Sequence, residues 1–268
     1  MTTTHYGDLK VSVLPTAAES ATAAAELFAA AVNEALATQD EIAVILATGN
    51  SQLAFVELAT ARDDIDWSRI TVLHMDEYLG MSADHSASFR RWMRENVAEK
   101  VQLRAFEGVR GDHEPAEEEV ARYTRLLQDL DPAICVMGIG ENGHLAFNDP
   151  PADFGTSDLV RLVEMDEASR QQQVGEGHFP SLADAPTHAL SLTIPALLRP
   201  GTVIVNAPET RKAAIVRAAL EGPITPDVPA SILRRQPHAW LFLDADSAAL
   251  LAPAADTRAA SVTPASTS

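Results

Sequence analysis

The sequence contains one cysteine, Cys135, in 268 residues. An intramolecular disulfide is therefore excluded, and no set of thiols is available for a structural zinc. Basic residues are also scarce. Against 38 Asp and Glu there are 20 Lys and Arg, a formal charge of −18, and no basic patch of the kind that nucleic-acid backbone contacts need. Any anionic ligand must be held by a local arrangement. Long apolar runs are missing as well: the Ala-rich stretch near residues 17–38 is interrupted by Glu19, Glu26, Asn33 and Glu34, so it reads as a helix and neither as a membrane span nor as a signal peptide. These absences predict a soluble, cytoplasmic protein with no nucleic-acid and no membrane partner.

What is present fits an α/β protein. Hydrophobic residues make up 46% of the chain and aromatics 5%, enough to fill the core of one sizeable domain. Residues 1–251 read as that domain and residues 252–268, made mostly of Ala, Thr, Ser and Pro, as a disordered tail. Leu9–Leu14 alternates like a strand, Ala17–Ala37 has helical composition, and Glu41–Leu46, Ile70–Met75, Ala133–Met137, Gly201–Asn206 and His238–Asp244 are short apolar segments of buried-strand type. Helices are expected at about Leu53–Ala61, Phe89–Val97, Glu117–Leu130 and Arg211–Leu220, with a short one near Ala230–Leu233. The alternation predicts a parallel sheet. His188–Thr193 reads as one further strand, whereas the stretch from Pro150 to Pro186 reads as irregular, and a long irregular segment is often a functional lid.

The densest chemistry lies in Met137-Gly138-Ile139-Gly140-Glu141-Asn142-Gly143-His144-Leu145-Ala146-Phe147-Asn148-Asp149-Pro150. Glycines at 138, 140 and 143 let the chain turn and let a ligand approach backbone N–H groups, while Asn142, His144 and Asp149 handle protons. Their Gly-x-Gly-x-x-Gly spacing matches dinucleotide sites, but His144 and Asp149-Pro150 follow where that fold needs an unbroken helix. No nicotinamide or flavin cofactor is expected, and no metal. Two other strand ends carry polar groups. Thr48-Gly49-Asn50-Ser51 joins a strand to a helix N-terminus, which suits an anion, although on this stretch alone an ordinary βα turn capped by Ser51 is the stronger reading. Asp76-Glu77 follows the strand at 70–75. In a parallel sheet all three strand ends face one crevice, a setting for proton transfers on a small phosphorylated molecule. Asp76 can equally cap the next segment, Asp149 can merely start a turn, and Lys212 can be a solvated side chain.

Met75-Asp76-Glu77-Tyr78 and Gly138–Asn148, with Thr48–Ser51, Ser169-Arg170-Gln171 and Lys212 ahead of Glu221-Gly222, resemble the glucosamine-6-phosphate isomerase/deaminase family and its relatives the 6-phosphogluconolactonases. The likeness runs from about Val11 to Leu243. Asp76-Glu77-Tyr78 and Phe147-Asn148 are closer to the deaminases. The resemblance implies a modified Rossmann-like three-layer α/β sandwich with a mostly parallel sheet and a cofactor-free, hydrolytic conversion of glucosamine 6-phosphate to fructose 6-phosphate and ammonia. It also implies roles. His144 would open the pyranose ring, with Asn142 and Asp149 orienting its imidazole; Asp76 would move a proton from C2 to C1, helped by loop N–H groups including that of Gly138. The phosphate would sit on Thr48, Gly49, Asn50 and Ser51 with Lys212.

Three departures from the family pattern bear on the site. Asp149 stands where the deaminases commonly have Glu, so contact with His144 must be re-made by a backbone shift or a water. Asn142 stands where many have Asp. No Arg follows Arg170 within Gln172-Gln173-Val174-Gly175, which leaves Arg170 itself as the expected substitute phosphate ligand. The competing readings are the same chemistry on another amino sugar phosphate, a lactonase-type hydrolase in which His144 activates water, and a sugar-phosphate sensor without turnover. A homo-oligomer is left open.

Overall fold

The computed structural model describes residues 3–252; apart from Ala252, the expected tail lies outside the described residues. The main sheet has eight strands: β1 (Thr3–Tyr6), β2 (Leu9–Leu14), β3 (Ile42–Leu46), β4 (Ile70–His74), β6 (Ala105–Glu107), β7 (Ile134–Met137), β10 (Thr202–Asn206) and β11 (Ala239–Asp244). Their spatial order is β1-β2-β11-β10-β7-β3-β4-β6. All neighbours are parallel except β1, which pairs antiparallel with β2.

The pleat of these apolar strands feeds two layers. Ile42, Val44 and Leu46 share one core with Val72, Val136, Ile204 and Phe242, covered by α1 (Ala17–Leu36), α2 (Asn50–Thr60) and the end of α3 (Phe89–Met93). Ala43, Ile45, Cys135, Met137, Val203 and Val205 face the other way, onto α4 (Ala116–Leu130), α6 (Ile194–Leu198) and α7 (Ala213–Glu221). The result is the expected three-layer sandwich with a mostly parallel sheet. In α1 the buried stripe is largely Ala21, Ala24, Ala25 and Ala29 around Phe28, and the alanines favour helix and allow close approach to the sheet. None of the described helices is long and apolar enough to cross a membrane.

From β3 the sheet grows outward through β4 to β6 on one side, and through β7, β10 and β11 on the other. The carboxyl ends of β3 and β7 therefore flank a topological switch point, where open α/β sheets leave a crevice.

A second sheet borders that crevice. The segment expected to be irregular between Pro150 and Pro186 contains β8 (Val160–Glu164) and α5 (Glu167–Gly175), and β8 pairs antiparallel with β9 (His188–Leu192), which pairs in turn with β5 (Asp76–Tyr78). Neither new element carries a clear apolar period. Only Val160 of β8 is buried, and the buried residues of α5 are Ser169 and Gln173. The aromatic side chains Tyr78, Phe89, Phe147 and Phe179 form a small core beneath these elements.

Candidate active site

The turn after β3 departs from the ordinary βα reading. Helix α2 begins at Asn50, three residues before the expected Leu53, and its N-cap is Gly49 with φ +101°. That backbone region favours glycine. No side chain caps the helix, so Ser51 is not the N-cap. Ser51 instead accepts a hydrogen bond from Gln52 Nε2 at 3.1 Å, and Asn206 Nδ2 at the end of β10 donates to the Ser51 carbonyl at 3.2 Å. Side chains thus pin the turn from outside and leave the first N–H groups of α2 to an external anion.

Thr48, Gly49, Asn50, Ser51, Asp76, Gly138, His144 and Lys212 all line one cleft, which holds about 620 Å³ including its solvent mouth. Asp76 and Glu77 are adjacent buried carboxylates with different surroundings. Because the chain enters β5 straight after Met75, the two side chains fall on opposite faces. Glu77 turns to the start of α3, where it accepts from Ser88 Oγ (2.7 Å) and from the backbone N–H groups of Arg90 (2.9 Å) and Phe89 (3.2 Å). Among the described residues no group hydrogen-bonds the Asp76 carboxyl. Burial, followed by the repulsion of Glu77, pushes the Asp76 carboxyl up to about 8. An acid tuned to that range can both take and return a proton near neutral pH.

His144 lies with its ring against Gly140: a Cβ on Gly140 would stand 2.2 Å from Nε2. Glycine is needed there for close approach. Behind the ring, Ser169 Oγ is 2.9 Å and Asp149 Oδ1 3.3 Å from Nδ1. Asn142 Nδ2 donates to Asp149 Oδ1 and to Asp166 Oδ2, each at 3.0 Å, and its carbonyl accepts from the backbone N–H of His144, also at 3.0 Å. Burial works against the Asp149 charge, but the facing imidazole, Ser169 and Asn142 outweigh it and hold the carboxyl at about 2. Asn142 and Asp149 thus stand behind His144, outside the cleft lining, and Asn142 acts on the backbone and on Asp149 without touching the ring.

The cations differ from expectation. Arg170 does not reach the cleft; its Nη2 donates to the carbonyls of Leu182 (2.6 Å) and Ala185 (3.0 Å), tying the loop after α5 to the helix. The side chain clamps backbone carbonyls and lies outside the cleft lining, where the expectation set it beside a phosphate. The second cation is Arg211, next to Lys212 and on the cleft wall. Arg211 bonds Glu209 (2.6 Å), Glu176 (2.8 Å) and Glu141 (3.0 Å), joining three loops around the rim. A 3₁₀ turn at 210–212 precedes α7, which starts at Ala213, and so Lys212 is buried beside the cleft instead of lying on an exposed helix face. Burial, with Arg211 nearby, lowers its ammonium to about 8. Ser169, Gln172, Glu176 and Arg211 escaped the reading of single residues. Of these only Ser169 had a signal, as part of the family-like Ser169-Arg170-Gln171.

Among the described residues no group of three or more His, Cys, Asp or Glu is arranged to hold a metal ion. Fold and cleft together define an open α/β protein with a ligand crevice at its switch point, lined by an anion turn, a high-pKa carboxyl and a backed imidazole. A family model described as glucosamine-6-phosphate isomerases/6-phosphogluconolactonase matches residues 15–242, and the chain belongs to that family. The glucosamine-6-phosphate deaminase of Streptococcus pneumoniae serotype 4 is 34% identical over 206 residues, which are 77% of this chain and 86% of that protein. That of Exiguobacterium sibiricum is also 34% identical over 206 residues, covering 77% and 80% of the two chains. Among solved structures, a monomeric glucosamine-6-phosphate deaminase superposes with a TM-score of 0.82 at 27% identity, over 90% of this chain and 99% of that one. A 6-phosphogluconolactonase from Shewanella baltica gives 0.72 at 20% identity, over 87% and 97%; that likeness is one of fold.

Proposed function

We propose that the protein is a glucosamine-6-phosphate deaminase, converting glucosamine 6-phosphate and water to fructose 6-phosphate and ammonia. The observation that carries this reading is the Asp76 carboxyl, buried beside the cleft, without a hydrogen-bond partner among the described residues and pushed up to about 8. Enolisation next to a carbonyl needs such a group, one base able to carry a carbon-bound proton between neighbouring atoms.

The phosphate sits on the turn Thr48–Ser51 at the N-terminus of α2, with Lys212 supplying positive charge within an acidic molecule. His144 Nε2 shuttles a proton between the C1 hydroxyl and the ring oxygen, opening the pyranose. Asp76 then removes the C2 proton, giving an enolamine whose developing charge the N–H groups around Gly138 stabilise. The same carboxyl returns the proton to C1. This leaves a ketimine at C2, and water breaks its C=N bond to yield the ketone and ammonia. Asn142 and Asp149 are positioning residues for His144.

The test is a coupled assay on the full chain with glucosamine 6-phosphate, following fructose 6-phosphate and ammonia together. Equal amounts of both are expected, lost in Asp76→Asn and His144→Gln. Hydrolysis of 6-phosphogluconolactone without ammonia release would mark a lactonase instead, and binding without turnover would mark a sensor.

A further inference from the structure

We propose that Ser169 is a positioning residue for the proton transfers of His144, its hydroxyl bonding both the imidazole and Asp149 beside their 3.3 Å approach and holding the ring as the Nδ1–H tautomer. The proposal deepens the deaminase reading and rests on it. The sequence leaves Asp149 one methylene short of the glutamate common in this family, and a backbone shift or a water was the expected remedy. The structure supplies a side chain instead. Ser169, the third residue of α5 and buried, places Oγ 2.9 Å from His144 Nδ1, closer than Asp149 Oδ1 at 3.3 Å, and makes a short hydrogen bond to that same Asp149 oxygen.

Donor and acceptor accounting fixes the direction of this chain. An ionised carboxylate only accepts, so the Ser169 O–H donates to Asp149 and its oxygen lone pair faces Nδ1. Nδ1 must then carry the proton. In the neutral ring, Nε2 is left as the free base on the cleft side, the tautomer that ring opening needs. When Nε2 takes a proton, the imidazolium keeps its Nδ1–H on Ser169, and Ser169 keeps its own proton on Asp149. No proton leaves the chain; the charge of Asp149 is transmitted through a polarised hydroxyl.

The position of Ser169 is itself over-determined. Asp166, the N-cap of α5, accepts from the Ser169 backbone N–H at 2.6 Å. The Asp166 backbone N–H donates to Asp149 Oδ2 at 3.0 Å, and Asp166 Oδ2 accepts from Asn142. One helix start therefore fixes the hydroxyl, the carboxylate and the amide together. The signal in the sequence is weak, because a serine three residues after an aspartate reads only as a helix start.

The experiment uses the full chain with 15N-labelled histidine, His144→Gln identifying the signal, and a long-range 1H–15N correlation recorded where the imidazole is neutral. We expect the proton on Nδ1 in the wild type and a share on Nε2 in Ser169→Ala. Turnover of Ser169→Ala should fall about 10- to 100-fold, the loss of one hydrogen bond to a charged group, with KM within about twofold. Ser169→Thr should retain the tautomer and the rate. Asp149→Glu placed in Ser169→Ala should regain most of the rate, since the longer side chain can close the 3.3 Å approach of Asp149 to Nδ1 into a full hydrogen bond. An unchanged tautomer and rate in Ser169→Ala overturns the proposal, and so does a wild-type ring protonated on Nε2, whether or not the variants fold. Absence of ammonia release by the wild type would sink the deaminase reading alone, because the tautomer measurement does not depend on turnover.

Discussion

Asp76 and Glu77 show how two adjacent carboxylates acquire different duties. Glu77 is enclosed by donors at the start of α3, whereas Asp76 keeps an unpartnered carboxyl at the cleft. The price appears in stability. The folded protein holds the Asp76 proton up to about 8, against an ordinary 3.8, so between those values the unfolded chain binds fewer protons. Stability then falls as pH rises through that window, and the loss is complete above the folded value. Asp76→Asn, which cannot ionise, should abolish turnover by at least ~10²-fold and yet melt higher than the wild type. The gain should grow from about pH 4 to about pH 8, at ~2–4 °C per kcal/mol for a chain of this size. Thermal melts at a series of pH values test this; a constant difference between the two proteins would show that Asp76 is not held protonated.

At the scale of elements, α5 and the small sheet beside it decide what the cleft contains. Helix α5 has almost no apolar stripe, and polar contacts hold it: Tyr78 Oη donates to Gln173 Oε1 at 2.6 Å, and Arg170 clamps the following loop. These contacts explain why the segment was read as irregular. Sequence periodicity registers hydrophobic burial, and α5 is docked by hydrogen bonds instead. Arg170→Ala should therefore destabilise the protein by ~1–3 kcal/mol, the range for buried carbonyls left unpaired, while the inhibition constant of inorganic phosphate stays within about twofold. A tenfold weaker phosphate interaction with an unchanged melting temperature would restore Arg170 to the binding site.

On the scale of the whole molecule, the doubly wound sheet sets both the crevice and the order of unfolding. Cys135 lies in β7, between β10 and β3 near the middle of the sheet, with no exposed surface, and burial raises its thiol. Local opening of loops does not reach it. Alkylation of Cys135 should thus proceed at the rate of global unfolding, slow in the native protein and complete with one label per chain in denaturant. Labelling under native conditions as fast as that of a small-molecule thiol would mean that β7 opens locally. Lys212 belongs to this scale too, since a molecule with a formal charge of −18 needs a local cation and helix N–H groups at the crevice to hold an anion there.

The sequence by itself determined the α/β class, the parallel strands and three of the loops that meet at the crevice, because buried strands and glycine-rich turns leave local, periodic signals; the three layers followed from the family resemblance. It also singled out Asp76 and His144. Tertiary structure alone decided which cation faces the cleft, for Arg170 and Arg211 are equally polar in a string of letters and differ only in what folds against them. It decided, too, that a serine from a helix without an apolar stripe bonds both His144 and Asp149. The serine's contacts join residues 25 and 20 positions apart, and their geometry depends on the packing of elements that no local pattern encodes.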